Sequence, residues 1–335
     1  MRGLRALVAA LTLVLAASIP AAAEDFYRGK TVDLYIGFGV GGTYDLYARA
    51  IGMHLGAHIP GEPTVVPRSM PGAGGLAAAN YMDKVAPRDG TALAVTSQTI
   101  AIDQLFHVSG VSYETRDFLW LGRITTAPTV FFTWHTSPTK TIADARLRET
   151  TMGSSGSGDT TDTPRALNSL AGTKFKLVMG YRGSNDVWLA VERSEVEGGY
   201  ALFADLKFRK ADWLRDKLVN LLFTVADRRS ADYPDLPMSS ELASTEEGKR
   251  ILGLFAAPGG VGRSVFTTPG VPPDRLALLR KAFLETLKDP EFLADARRIG
   301  IELDPLGGEA LQQYVAGMMA TPADLIAKAE AARRP

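Results

Sequence analysis

Six residues of β character, Thr31 to Ile36, run without a break into Gly37-Phe-Gly-Val-Gly-Gly42. Beyond that loop Leu46, Tyr47, Ala50, Ile51 and Leu55 recur at helical spacing. Strand, glycine loop and helix then return in the same order as Thr64 to Arg68, the PGAGG loop of Pro71 to Gly75, and LAAANYMDKVA. The turn Asp89-Gly90 leads into a third strand, TALAVTSQ. Such alternation predicts an α/β fold with a largely parallel sheet, because parallel neighbours need a crossover and the helix supplies it.

The plan repeats further on. Phe118 to His135, FLWLGRITTAPTVFFTWH, carries two apolar β-rich runs and no helix signal, and is read as the crossing into a second lobe. There TTMG leads into GSSGSG and a helix starting near Pro164, after the capping residues Asp162 and Thr163. FKLVMGY leads in turn into RGSND and VWLAVERSEVEGG. From Ile251, ILGLFAAPGGVGRSVFTTPG reads as a return strand, and Leu276, Leu279, Phe283 and Leu287 then share one helical face. A chain of 335 residues exceeds what one core usually organises, which also favours two lobes.

At the N-terminus, Arg2 and Arg5 precede a short apolar run that ends in Ala21-Ala22-Ala23, so residues 1–23 read as a signal peptide cleaved after Ala23. The run is too short to span a bilayer. The sequence has no cysteine, which excludes disulfides, thiolate metal sites and lipid attachment through a Cys. Basic and acidic residues are equal at 37 each, and loss of Arg2 and Arg5 leaves a slight acidic excess. No nucleic-acid partner is expected from that balance.

Gly37 to Gly42 spells G-x-G-x-x-G, but a dinucleotide site also needs an acidic residue at the end of the second strand. Glu62 lies in the turn before that strand, and the strand ends on Arg68, Ser69 and Met70. No Lys-Ser or Lys-Thr follows the glycines, so a phosphate-binding P-loop fits no better. What remains is the physics beneath the motif: glycines admit a ligand close to the backbone, and free N–H groups at a helix start attract an anion. A tight turn with no ligand is the alternative for one loop. Matching loops in two lobes, Gly39 to Asp45 and Gly153 to Thr160, favour a shared ligand between them. His54 and His58 stand at i, i+4, yet Leu55 occupies the place of a metalloprotease glutamate and no third ligand is evident, so no metal is expected. His107 and His135 are isolated, and no nucleophile–base pair stands out. Tyr44 and Tyr181 sit beside loop mouths, Trp188 reads as core, and Tyr200 either lines a pocket or packs.

GG-x-x-D-x-x-AR (Gly41 to Arg49), PTVV, MPGAGG, AANY, AP-x-DGT, TPRALNSLAGTKFKLVMGYRG, AVERSEVEGG and PPDRLALLRKAF occur in an order that resembles the solute receptors of tripartite tricarboxylate transporters, the Bug receptors. The resemblance covers nearly the whole mature chain. It implies a two-lobed type II periplasmic binding protein of Venus-flytrap form, with lobe 1 from residues 24–124 plus 263–335 and lobe 2 from 125–262. The implied activity is capture of a small organic carboxylate, without catalysis or cofactor, and delivery to a two-subunit integral membrane permease. The receptor would be monomeric, and presentation to a sensor kinase would use the same cleft. A secreted nucleotide- or cofactor-binding enzyme using the Gly37–Gly42 loop is the alternative from another class. Carried over by position, the implied site comprises Gly39, Gly41, Gly42, Thr43, Tyr44 and Asp45; Ser97, Gln98 and Thr99; Ser154, Ser155, Ser157, Asp159 and Thr160; Tyr181, Arg182 and Gly183; and Tyr200. Asp45 is expected to brace its loop, since its charge makes contact with an anion costly. Gly39-Val40, where the family commonly has proline, Ser69 in place of a common Asn, and GGYALFADL around Tyr200 depart from the family pattern.

Overall fold

The computed structural model describes residues 26–155, 158–181 and 183–334. The expected leader, Ser157 and Arg182 lie outside them. Among the described residues eleven strands follow in chain order: β1 Thr31–Ile36, β2 Thr64–Ser69, β3 Ala92–Val95, β4 Leu119–Thr125, β5 Thr129–Trp134, β6 Thr150–Gly153, β7 Phe175–Val178, β8 Gly198–Leu202, β9 Val219–Val225, β10 Arg263–Thr267 and β11 Leu306–Gly307.

These strands form two sheets. The first has the order β11-β4-β10-β3-β1-β2, with β1 parallel to both β2 and β3 and with β10 antiparallel to β3 and β4. The second has the order β7-β6-β8-β5-β9, with β6 parallel to β7 and β8 and with β5 reversed between β8 and β9. Both sheets are therefore mixed, not largely parallel: β10 and β5 each run antiparallel to both neighbours, and β11 is antiparallel to β4 at the edge of the first sheet, as the chain passes from one sheet to the other and back.

The helix Thr43–His58 covers β1 and β2 because Tyr47, Ala48, Ile51 and Leu55 fall on one buried face. Pro273–Thr286 and Pro290–Arg298 pack against it, and Leu279, Phe283 and Phe292 complete a core with Val32, Leu34 and Ile36 of β1. Each such side chain contributes roughly 1.5–3 kcal/mol by leaving water. A larger core runs from Ala92 and Trp120 of the first sheet to Phe131 and Phe223 of the second and to Trp213 of the short helix Ala211–Arg215. The last helix, Ala323–Ala332, packs on Asp159–Ala171 and Glu246–Val261, so the C-terminus returns to the side of the second sheet.

The run from Ile251 is not a strand until Arg263. Residues Glu246–Val261 form one helix, with Ile251, Leu252, Leu254 and Phe255 buried at helical spacing and the Thr245 hydroxyl capping its start by accepting from the Gly248 N–H. Pro258 sits in its last turns without ending it, and strand geometry begins only at β10. The chain thus crosses between sheets at Thr126–Pro128 and again at Gly262. The two crossings touch: the Ala127 N–H donates to Gly259 O at 3.0 Å. Gly262 has φ +57°, and a Cβ there would lie 2.1 Å from Thr125 O. Only glycine fits. No helix among the described residues is long and apolar enough to cross a membrane.

Candidate functional site

The three parallel strands β1, β2 and β3 all end at the same edge of the first sheet, the usual ligand position in open α/β sheets. Their exit loops crowd together: a Cβ on Gly37 would meet Gly75 Cα at 3.1 Å, and one on Gly75, at φ +98°, would meet Ser97 N at 3.1 Å. The first glycine of the G-x-G-x-x-G run thus serves loop packing. The helix Thr43–His58 begins next to this junction with Gly42 as its N-cap and no side-chain cap, so no capping side chain competes for the positive end of its dipole.

Facing these loops is a cleft of about 690 Å³ between the sheets. Thr43, Tyr44, Ser97, Gln98 and Thr99 line it from the first sheet, and Ser155, Asp159, Thr160, Gly183 and Tyr200 from the second. Six other implied residues do not line it. Asp45 is buried and turned to its own loop, accepting from the Gly41 N–H at 2.9 Å and pairing with Arg49 at 2.7 Å. Gly41 takes the left-handed φ of +88°, whereas Gly42 has an ordinary φ of −79°. Gly39 lies in the same turn, its carbonyl 3.7 Å from a Cβ built on Gly42. Ser154 is fully buried and hydrogen-bonded to Thr161 Oγ1 at 2.7 Å. Tyr181 lies against Gly153. Trp188 is core, and its indole N–H donates to Tyr200 O at 2.9 Å.

The residue that sequence reasoning missed is Arg263, the first of β10. It is 4% exposed and lines the cleft. Its guanidinium lies 3.8 Å from the Tyr44 ring centroid, and the Phe38 ring stacks with Tyr44 at 4.2 Å. Gln98 fixes both members, accepting from Arg263 Nη1 at 2.7 Å while its backbone N–H donates to Tyr44 Oη at 3.0 Å. Arg263 pairs with no carboxylate among the described residues, and its buried Nε has no partner. A buried, always-charged group in that condition is costly unless an anion meets it. The signal in the sequence was an arginine opening an apolar strand, GRSVF, directly after a glycine.

The opposite wall is different in kind. Asp159 accepts from Thr129 Oγ1 at 2.6 Å and from the Thr160 backbone. Burial pushes its carboxyl above the ordinary range. Back on the first-sheet side, Asp103 of the short helix Ile100–Leu105 also lines the cleft, accepts from Thr99 Oγ1 at 2.7 Å, and is raised by burial. Burial raises Tyr200 as well, opposed by a hydrogen bond to Ser155.

The histidines are occupied elsewhere. His54 Nε2 meets Asp295 at 3.1 Å and His58 Nε2 meets Asp289 at 2.8 Å, tying the first helix to Pro290–Arg298. Arg68 pairs with Asp33 at 3.0 Å, so it is not held ready for a nucleotide phosphate. A second cavity, about 460 Å³, lies beside the crossings, and its cations are taken up by carboxylates: Lys207 pairs with Asp232 at 2.8 Å and Glu302 at 2.6 Å, Arg228 with Asp304, and Arg229 with Glu241 at 2.8 Å.

The family model described as "Tripartite tricarboxylate transporter family receptor" matches residues 48–330. The chain belongs to that family. A Cupriavidus necator protein, "UPF0065 protein in gbd 5'region", is 25% identical over 322 residues, covering 93% of this chain and 92% of the relative. Among solved structures, a TctC solute binding protein from Polaromonas superposes with a TM-score of 0.68 at 19% identity, covering 90% of this chain and 99% of that one. An R. palustris protein solved with adipate superposes with a TM-score of 0.64 at 21% identity, covering 91% and 98%. These likenesses establish the two-lobed binding-protein fold for this tripartite tricarboxylate receptor, whose family consists of receptors and not enzymes.

Proposed function

We propose that this family member is a periplasmic receptor that closes its two lobes on a small organic carboxylate and hands it to a two-subunit membrane permease without covalent chemistry. One observation carries the reading: a buried arginine with an unpaired Nε stands beside an uncapped helix N-terminus in the interlobe cleft. Both features favour an anion. The adipate bound by the R. palustris neighbour and the leader-like residues 1–23 support the ligand class and the compartment. Lobes 24–124 plus 263–335 and 125–262 would move about the two crossings. The test is a thermal-shift screen of organic acids and nucleotides on the mature chain. A carboxylate at a hundred times its Kd stabilises by about 2.7 kcal/mol. Nucleotide hits with no carboxylate hit overturn the reading.

A further inference from the structure

One short helix, Phe203–Phe208, serves both the ligand cleft and the second cavity, and it continues directly from β8 of the second sheet. Leu202, Asp205 and Arg209 line the cleft, while Phe203 and Lys207 line the second cavity. Those sets recur at three- and four-residue spacing, so the helix turns a different face to each space. Its first residues belong to GGYALFADL, the stretch that departs from the family pattern.

The helix is held at both ends. At its start the Phe203 N–H donates to Pro128 O at 3.0 Å, in the first crossing between the sheets. At its far end it reaches the first-sheet side: Lys207 Nζ is 2.6 Å from Glu302, and a Cβ on Gly300 would lie 4.0 Å from Phe208 Cγ. Glu302 stands between the helix Pro290–Arg298 and β11, and its backbone is fixed to the first helix. Its N–H donates to Tyr47 Oη at 3.3 Å, and its carbonyl accepts from that hydroxyl at 3.5 Å. Tyr47 is buried on Thr43–His58, the helix whose start stands at the cleft.

Lys207 also meets Asp232 on the second-sheet side at 2.8 Å, so one ammonium is shared between the two sides. Partial burial opposes its charge, yet the two carboxylates together hold it above the ordinary lysine range. Of these contacts only the one to Glu302 passes between the sheets. Arg228 and Asp304 also join the two sides, but Asp304 accepts from Thr126 Oγ1 at 2.9 Å within the crossing itself, where the sides part least. Arg333 pairs with Asp162 at 3.0 Å on the side its own helix packs against, and meets the first-sheet side through the Phe106 ring at 4.4 Å.

Resting on the two-lobed receptor reading above, we propose that Lys207 and Glu302 are positioning residues: they line no part of the ligand cleft, but their ion pair fastens the helix carrying Asp205 to the first-sheet side and holds the cleft closed at that end. Each opening of the receptor parts this pair. The two side chains are 28% and 32% exposed, so salt screens the attraction and the fastening is reversible.

A chain without cysteine admits a clean pair of labels. Met53→Cys on the first helix and Leu147→Cys just before β6, both well exposed, are spin-labelled in the mature chain, and their separation is read by pulsed electron paramagnetic resonance without added acid. Glu302→Gln and Lys207→Met should each raise the more separated population about two- to fivefold relative to the closed one. The double variant should open no further than Lys207→Met alone, and Lys207→Arg, which keeps the charge, should keep the wild-type distribution. Salt at about 1 M should move the wild-type pair toward the Glu302→Gln distribution. Identical distributions in Glu302→Gln and wild type overturn the proposal. So does opening in Lys207→Arg as large as in Lys207→Met, which would trace the effect to packing. If adipate, or another acid that raises Tm in the screen, shifts the distribution while Glu302→Gln does not, the proposal falls and the receptor reading stands. A separation that neither the substitutions nor any stabilising acid moves removes the lobe motion as well.

Discussion

On the first-sheet side of the cleft the polar groups are left open: the helix Thr43–His58 starts without a side-chain cap, and Arg263 Nε has no partner. On the second-sheet side they close on each other, Thr129 on Asp159, Ser154 on Thr161, and Ser155 on Thr160 at 3.2 Å. The helix starting at Asp159 holds its own carboxyl at its positive end, while the first helix turns Asp45 inward to the Gly41 N–H and Arg49. The two walls share a strand-loop-helix plan. They differ in whether the loop's hydrogen-bonding capacity is used up by the protein, and binding strength is expected to come from the wall where it is not.

The largest test of that contrast is Arg263→Met. Hydrogen bonds to charged groups are worth about 1.5–3 kcal/mol each. Losing two should weaken the best carboxylate by at least about a hundredfold in calorimetry. Stability should hold or rise, since an unpaired buried charge is removed. Unchanged affinity would break the comparison outright. Next comes Gly42→Val, expected to weaken binding about tenfold or more by crowding the helix N–H groups. Its fold should survive, because a Cβ there meets only Gly39 O at 3.7 Å and the backbone φ is ordinary. Wild-type affinity would remove the helix start from the site.

Asp159→Asn sharpens the other side through pH. The folded chain holds this carboxyl above its ordinary range, so it binds an extra proton between the unfolded and folded values. Wild-type stability therefore falls as pH rises through that window and stays lowered above it. Asparagine abolishes the linkage. The variant's Tm advantage over wild type should be smallest in acid and grow to a plateau of a few degrees at neutral pH, and a Tm difference that shrinks with rising pH would contradict the assignment. Smallest of all, His54→Ala with His58→Ala should leave affinity unchanged and lower the midpoint of denaturant unfolding only slightly. Zinc-dependent loss of binding would revive the paired histidines as a ligand site.

What the sequence made legible was local. Thr31–Ile36 and the loop after it can be read because strand, turn and helix signals follow one another within a few residues, and β1 spans those six residues. Tyr44 and Gln98 could be reached through the resemblance, and both line the cleft. Arg263 could not, since its meaning depends on Gln98, 165 positions away, and on an ion pair that is missing. Ile251–Val261 misled for a related reason. A short apolar run with Gly and Pro fits a buried strand or a buried helix equally, and only packing against Asp159–Ala171 and the C-terminal helices decides.

The position of Arg263 relative to Gly262 has a mechanical consequence. Arg263 pairs in register with Thr125, so the backbone that carries the guanidinium is anchored where both crossings pass from sheet to sheet. In a lever, points near the fulcrum travel least. A carboxylate held there would stay almost still while the far rim, with Asp205 and Arg209, sweeps the full arc. Release would then be timed by the rim's swing and not by loosening of the anchor. Stopped-flow release should slow when Arg209 and Asp205 are cross-linked to the facing lobe, and a release rate indifferent to that clamp would place the fulcrum elsewhere.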